Sequence, residues 1–117
     1  MKTYKDLIVW QKSIELVVEI YKITNNFPKE EVYGLVSQIH RSAVSIASNI
    51  AEGKMRGGNI EFKRFLSIAF ASGAELETQI NISKRLPKTK DLDYNKIDSL
   101  SEEVMRMLNK MISQLEL

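Results

Sequence analysis

The chain has 117 residues, 44% of them hydrophobic, with 17 Lys and Arg against 15 Asp and Glu. That size and composition describe a single folded domain spanning 1–117 and exclude a disordered polymer. The absence of cysteine excludes disulfides and thiolate metal sites and is compatible with a reducing compartment, while a formal charge of +2 alone decides nothing about nucleic acid.

The N-terminal stretch MKTYKDLIVWQKSIEL carries charges throughout its apolar run, so it is not a signal peptide. No uncharged apolar run approaches the ~18 residues of a membrane span. The expectation is a cytoplasmic protein with no membrane partner. Two prolines and five glycines leave long uninterrupted segments, which favours helices.

The first helix is predicted from about Asp6 to Asn25, where Asn25-Asn26-Phe27-Pro28 stops it. Leu7, Trp10, Ile14, Val17 and Tyr21 form one apolar line. Val9, Leu16, Ile20 and Ile23 form a second, about 120° round on ideal helix geometry. Together they span about 200°, twice what packing on one core requires. The first line is expected to face the core and the second to form a subunit interface.

Pro28 is expected to open the second helix, with Glu30 and Glu31 at the positive end of its dipole. The helix should continue through Gly34 to about Lys54 or Arg56, and Gly57-Gly58 should end it. Val32, Leu35, Ile39, Ala43, Ile46 and Ile50 form its core face. Gln38, Arg41, Ser45, Ser48, Asn49 and Glu52 make a polar stripe about a quarter-turn away, with small Ser42, Ala47 and Ala51 between.

Asn59 is the predicted N-cap of the third helix, with Glu61 in its first turn and Phe62, Leu66, Ala69, Gly73, Leu76 and Ile80 on its core line. Its small middle, AFASGAEL, should lie against the small middle of the second helix. Leu86-Pro87 ends it. Asp91 or Asp93 should cap a fourth helix with Ile97, Leu100, Val104, Leu108, Met111 and Leu115 inward and a solvated outer side. Four long helices with short connections predict an all-α, antiparallel up-down-up-down four-helix bundle.

That topology brings Lys2, Lys5, Lys54, Arg56, Lys63 and Arg64 to one end, partly offset by Asp6, Glu52 and Glu61. They are the candidate nucleic-acid-binding residues. A second cluster, Lys84, Arg85, Lys88 and Lys90, surrounds Pro87.

Templates for bundle enzymes fail on their required residues. A di-iron site needs paired Glu-x-x-His motifs, but the one histidine, His40, has Ser37 three residues before it. Haem attachment needs cysteine. GKMRGG lacks the spacing of a phosphate loop. Glu102-Glu103 is followed by Arg106 rather than by further carboxylates. No cofactor is expected. The stripe Gln38, Arg41, Ser45, Asn49 and Glu52, with Glu75 opposite, reads as a device that fixes helix register, Arg41 bonding across to Glu75 or Glu77. The alternative, a hydrolase, requires an open pocket around Asn49 and Glu52.

DLIVWQKSIELVVEIY, FPKEEVYGLVSQIHRSAVSIASNIAEG and EFKRFLSIAFASGAELETQ together resemble the four-helix bundle proteins encoded within intervening sequences of bacterial 23S ribosomal RNA genes, and the related accessory variability proteins of diversity-generating retroelements. The likeness covers roughly Asp6 to Gln79, with R-S-A-V-S-I and N-I-A-E-G its most specific part. The family's positions fall on Trp10, Pro28, Arg41, Ser45, Asn49, Glu52, Gly53, Arg56, Phe62, Ala69, Ser72 and Glu75. His40, Ala47 and Ala71 depart from it. The resemblance implies a homopentameric bundle without enzymatic activity, association with RNA or DNA through basic surfaces and, in the retroelement branch, a reverse transcriptase partner. A protein–protein adaptor with no nucleic-acid role is the alternative.

Overall fold

A computed structural model of the chain describes residues 3–115. Among these residues there are four α-helices and no strand: α1 Ile8–Thr24, α2 Leu35–Met55, α3 Asn59–Ser83 and α4 Asn95–Gln114. Two short 3-10 turns, Tyr4–Asp6 and Lys29–Glu31, precede α1 and α2. The molecule measures 46 × 20 × 19 Å, its long dimension set by helices of 17 to 25 residues. No described helix is long and apolar enough to cross a membrane.

The helices pack in the cycle α1–α2–α3–α4–α1, and among the described residues no close backbone approach spans either diagonal. Lys12 and Glu19 of α1 reach Glu103 and Lys96 of α4, at 3.7 and 3.4 Å. The small middles of α2 and α3 do meet, Ser45 Oγ lying 2.8 Å from Ser72 Oγ. Gly53 of α2 lies against Phe65 and Phe62 of α3, and Gly73 of α3 against Met105 of α4. Small residues where two helices press together let their backbones approach, and this makes α2–α3 the most extensive seam in the bundle.

The second line of α1 is the inward one, while the first is divided, with Leu7 buried and Trp10 and Val17 packed against the core. Val9, Leu16, Ile20 and Ile23 are 1%, 1%, 0% and 8% exposed and belong to the chain's own core, so they are not a subunit interface. Ile14 and Tyr21, placed inward by the pattern, are 38% and 44% exposed. Periodicity establishes two apolar lines but not which faces in. Ser13 hides the answer: it interrupts the buried line in the sequence, yet it is fully buried because its hydroxyl donates to the Trp10 carbonyl at 2.7 Å.

Four helix ends also differ from the sequence reading. α2 begins at Leu35, with Gly34 as its N-cap, rather than at Pro28. Val32 and Tyr33 are 45% and 97% exposed, so no burial there offsets the poor helix propensity of glycine. Gly58, not Asn59, occupies the N-cap of α3. α3 ends at Ser83, before Leu86-Pro87, and its exit is held by the Thr89 hydroxyl donating to Ser83 O at 2.6 Å and the Tyr94 hydroxyl donating to Thr89 O at 2.8 Å. Tyr94, not Asp91 or Asp93, stands at the N-cap of α4 and makes no side-chain cap bond; Asp93, one residue earlier, accepts from the Asn95 amide at 3.0 Å.

Candidate nucleic-acid interface

α2 closes with Arg56 as its C-cap, and Gly57 then takes φ +77, the left-handed conformation that glycine adopts without steric cost. Gly58 follows, and α3 starts at once. This tight turn places the end of α2 and the first two turns of α3 side by side. It gathers Lys54, Arg56, Lys63 and Arg64, four of the six basic residues singled out from the sequence.

The aromatic residues between them hold the cations in place. The Arg56 and Arg64 guanidinium carbons lie 5.1 and 4.5 Å from the centre of the Phe65 ring, and Lys54 Nζ lies 5.5 Å from that of Phe62. Phe65 is only 6% exposed, so both arginines rest on a ring that is itself fixed in the seam. Each arginine also donates to a carboxylate: Arg56 Nη2 to Glu52 at 2.8 Å, and Arg64 Nε to Glu61 at 2.9 Å. Glu52 beside it raises the Arg56 pKa above its already high ordinary value, so the group stays charged at any physiological pH. Lys54, Arg56, Lys63 and Arg64 are thus gathered with Glu52 and Glu61 in one turn. In the sequence, Phe65 carried no assigned role; the interleaving E-F-K-R-F was the available signal.

Lys5 is exposed on the 3-10 turn that packs against α1 and α2, and its carbonyl accepts from Gln11 Nε2 at 2.9 Å. Lys2 lies outside the described residues. The second basic cluster is partly neutralised, Lys84 pairing with Asp98 at 2.7 Å and Lys88 with Glu30 at 3.3 Å.

The polar stripe divides into three parts. Asn49 Nδ2 donates to Ser45 O and Oγ at 2.8 and 3.0 Å, joining the Ser45–Ser72 contact in one network across the seam. Glu52 turns away to Arg56. Gln38, Arg41, Ser45 and Glu75 line an open groove of about 370 Å³ with Ser42 and Gln79. Among the described ion pairs, the expected bond from Arg41 to Glu75 or Glu77 is not formed.

The groove lies beside Gln38–Ser45, away from the Asn49–Glu52 position that the hydrolase alternative required. His40 is occupied elsewhere, stacked on Tyr21 at 3.8 Å and 11° and bonded through Nε2 to Thr24 Oγ1 at 2.8 Å. The Thr24 hydroxyl also lies 3.2 Å from Tyr21 O. Burial lowers the His40 pKa. Among the described residues, no group of three or more His, Asp or Glu side chains could hold a metal ion.

Fold and site define a class: a four-helix bundle that carries a cationic turn on its tightest seam. Within that class, the chain belongs to the 23S rRNA-intervening sequence protein family, whose profile matches residues 5–110. It is also similar to a protein of unknown function from the S23 ribosomal protein family of Bacteroides thetaiotaomicron, known from its crystal structure. The two are 29% identical with a TM-score of 0.78, and the likeness covers 90% of this chain and 98% of that one. No curated protein matches the chain.

Proposed function

We propose that the chain is a non-enzymatic helical bundle, one domain of up-down-up-down topology, that assembles as a homo-oligomer in the cytoplasm and binds RNA or DNA without sequence preference. The pairs Lys12–Glu103 and Glu19–Lys96 support the antiparallel course, since numbers rise along α1 as they fall along α4. The observation that carries the nucleic-acid reading is the seating of Arg56 and Arg64 on Phe65 beside Lys54 and Lys63. Preset cations bind phosphate with less ordering cost than mobile ones.

Binding of this kind releases counterions. Engagement of three or four phosphates by one turn gives a slope of about −3 in log K against log salt. Fluorescence anisotropy with a labelled oligonucleotide between 50 and 200 mM salt tests it. A slope shallower than about −1, or no binding at 50 mM, contradicts the reading.

One observation favours an adaptor instead. Ile60 is 87% exposed beside the same cations and Ile68 is 38% exposed further along the same face of α3, a surface that a protein partner would bury. Oligomer formation draws support from the exposed apolar side chains of α1 and α2, Ile14, Val18, Tyr21 and Val44. A pentamer, as the resemblance implies, would scatter light at five times the chain mass; a clean monomer at micromolar concentration removes that part of the proposal.

A further inference from the structure

We propose that the α2–α3 turn recognises the phosphate backbone of a nucleic-acid duplex and takes no bases, because its aromatic rings are already covered by its own cations. This rests on the nucleic-acid reading above and narrows it to one class of ligand.

Proteins that bind single strands pair a basic groove with aromatic faces on which unpaired bases stack. The turn has the first element and lacks the second. Phe65 is 6% exposed and lies beneath both the Arg56 and the Arg64 guanidinium groups. Phe62 is half-buried beneath the Lys54 ammonium and packs against the core. A base could reach either ring only by displacing the cations that would hold its phosphate. Among the described residues the exposed aromatic side chains are Tyr21, stacked on His40, and Tyr33, which precedes α2 about 30 Å along that helix from the turn.

The arginines, by contrast, are arranged for phosphate. Arg56 spends Nη2 on Glu52, and Arg64 spends Nε on Glu61. Each guanidinium has five N–H donors in a rigid plane, so most remain to be offered to an anion. The ring of Phe65 and the carboxylates hold those planes still. A lysine would keep the charge but lose the plane and the stacking. A duplex suits such a surface: its bases stay stacked on one another, and it presents a phosphate charge every ~1.7 Å of axis.

The test uses the full chain, a 20-base-pair mixed-sequence duplex and each of its strands alone, by anisotropy at 50 and 150 mM salt. The duplex is expected to bind about tenfold tighter than either strand, and strand binding should extrapolate to nothing at 1 M salt. The double variant Arg56→Lys, Arg64→Lys, checked for an unchanged helical signal and melting temperature, should lose about fivefold or more in duplex affinity at unchanged net charge. Strands binding as tightly as the duplex, a salt-independent residue of strand binding, or an unaffected double variant each overturns the inference while leaving nucleic-acid binding in place. Failure of both duplex and strands to bind at 50 mM salt overturns the nucleic-acid reading itself, and this inference with it.

Discussion

Gly53→Ala sets two effects of opposite sign against each other at the seam that carries the site. Gly53 lies within α2, where replacing glycine by alanine normally gains about 1 kcal/mol of helix propensity. A Cβ at Gly53 would stand 2.6 Å from Phe65 Cβ and 3.2 Å from Phe62 Cδ1. Carbon atoms rest about 3.5–4.0 Å apart, so α3 must withdraw by roughly 1 Å. The Phe65 Cβ is fixed to the backbone and cannot rotate aside. Overpacking of this kind costs about 1–3 kcal/mol, and this contact belongs at the upper end. The net expectation is a loss of about 2 kcal/mol, or roughly 8 °C in melting temperature for a chain of this length. Urea and thermal unfolding followed by circular dichroism measure it, and duplex binding should weaken as well because Phe65 seats both arginines. A variant that melts at or above the parent temperature would refute the close-approach argument.

Gly73→Ala supplies the contrast, because the nearest atoms to the new Cβ belong to the side chain of Met105, an unbranched thioether that can swing away; its melting temperature should equal or exceed that of the parent. Ile20→Ala, at a position 0% exposed, should cost about 2–5 kcal/mol at every protein concentration, whereas Val18→Glu, at a position 47% exposed, should leave the helical signal intact and lower the mass seen by light scattering. If Val18→Glu unfolds the chain and Ile20→Ala does not, the inward face of α1 has been assigned wrongly. Burial holds the folded pKa of His40 below the ordinary histidine value of about 6.5. The unfolded chain therefore takes up the proton first, and stability that is full above pH 6.5 declines as the pH falls toward the folded pKa. Unfolding free energies between pH 5 and 8 should show this slope in the parent and not in His40→Phe; equal slopes would remove the assignment.

The number and type of helices were legible in the sequence because four long apolar periodicities admitted no other reading. The end of α2 was legible as well, since Gly57-Gly58 after a helical run has few alternatives. Its beginning was not: the apolar repeat Val32, Leu35, Ile39 runs straight through Gly34, and only the lack of anything to bury Val32 and Tyr33 stops the helix there. The inward face of α1 was misread for a related reason. Two apolar lines of equal quality cannot be ranked without knowing what lies opposite, and the polar Ser13 disguises the one that faces in. At the site, the cluster of cations could be read from sequence and predicted topology. The role of Phe65 could not, because whether a phenylalanine lies in the core or beneath a guanidinium depends on the rotation of α3 against α2. The polar stripe, one line on a helical wheel, separates in space because Glu52 has Arg56 one turn away and turns to it.

Nucleic acid bound at the α2–α3 turn should be lost when the charge of that turn is reversed. Arg56→Glu, Lys63→Glu, Arg64→Glu should be compared with Arg85→Glu, Lys90→Glu, an exposed pair in the other basic cluster. Duplex dissociation constants at 50 mM salt should rise about 100-fold or more for the first variant and stay within about threefold for the second, with both retaining the parent helical signal. Parent-like affinity in the first variant, or an equal loss in the second, would contradict the account.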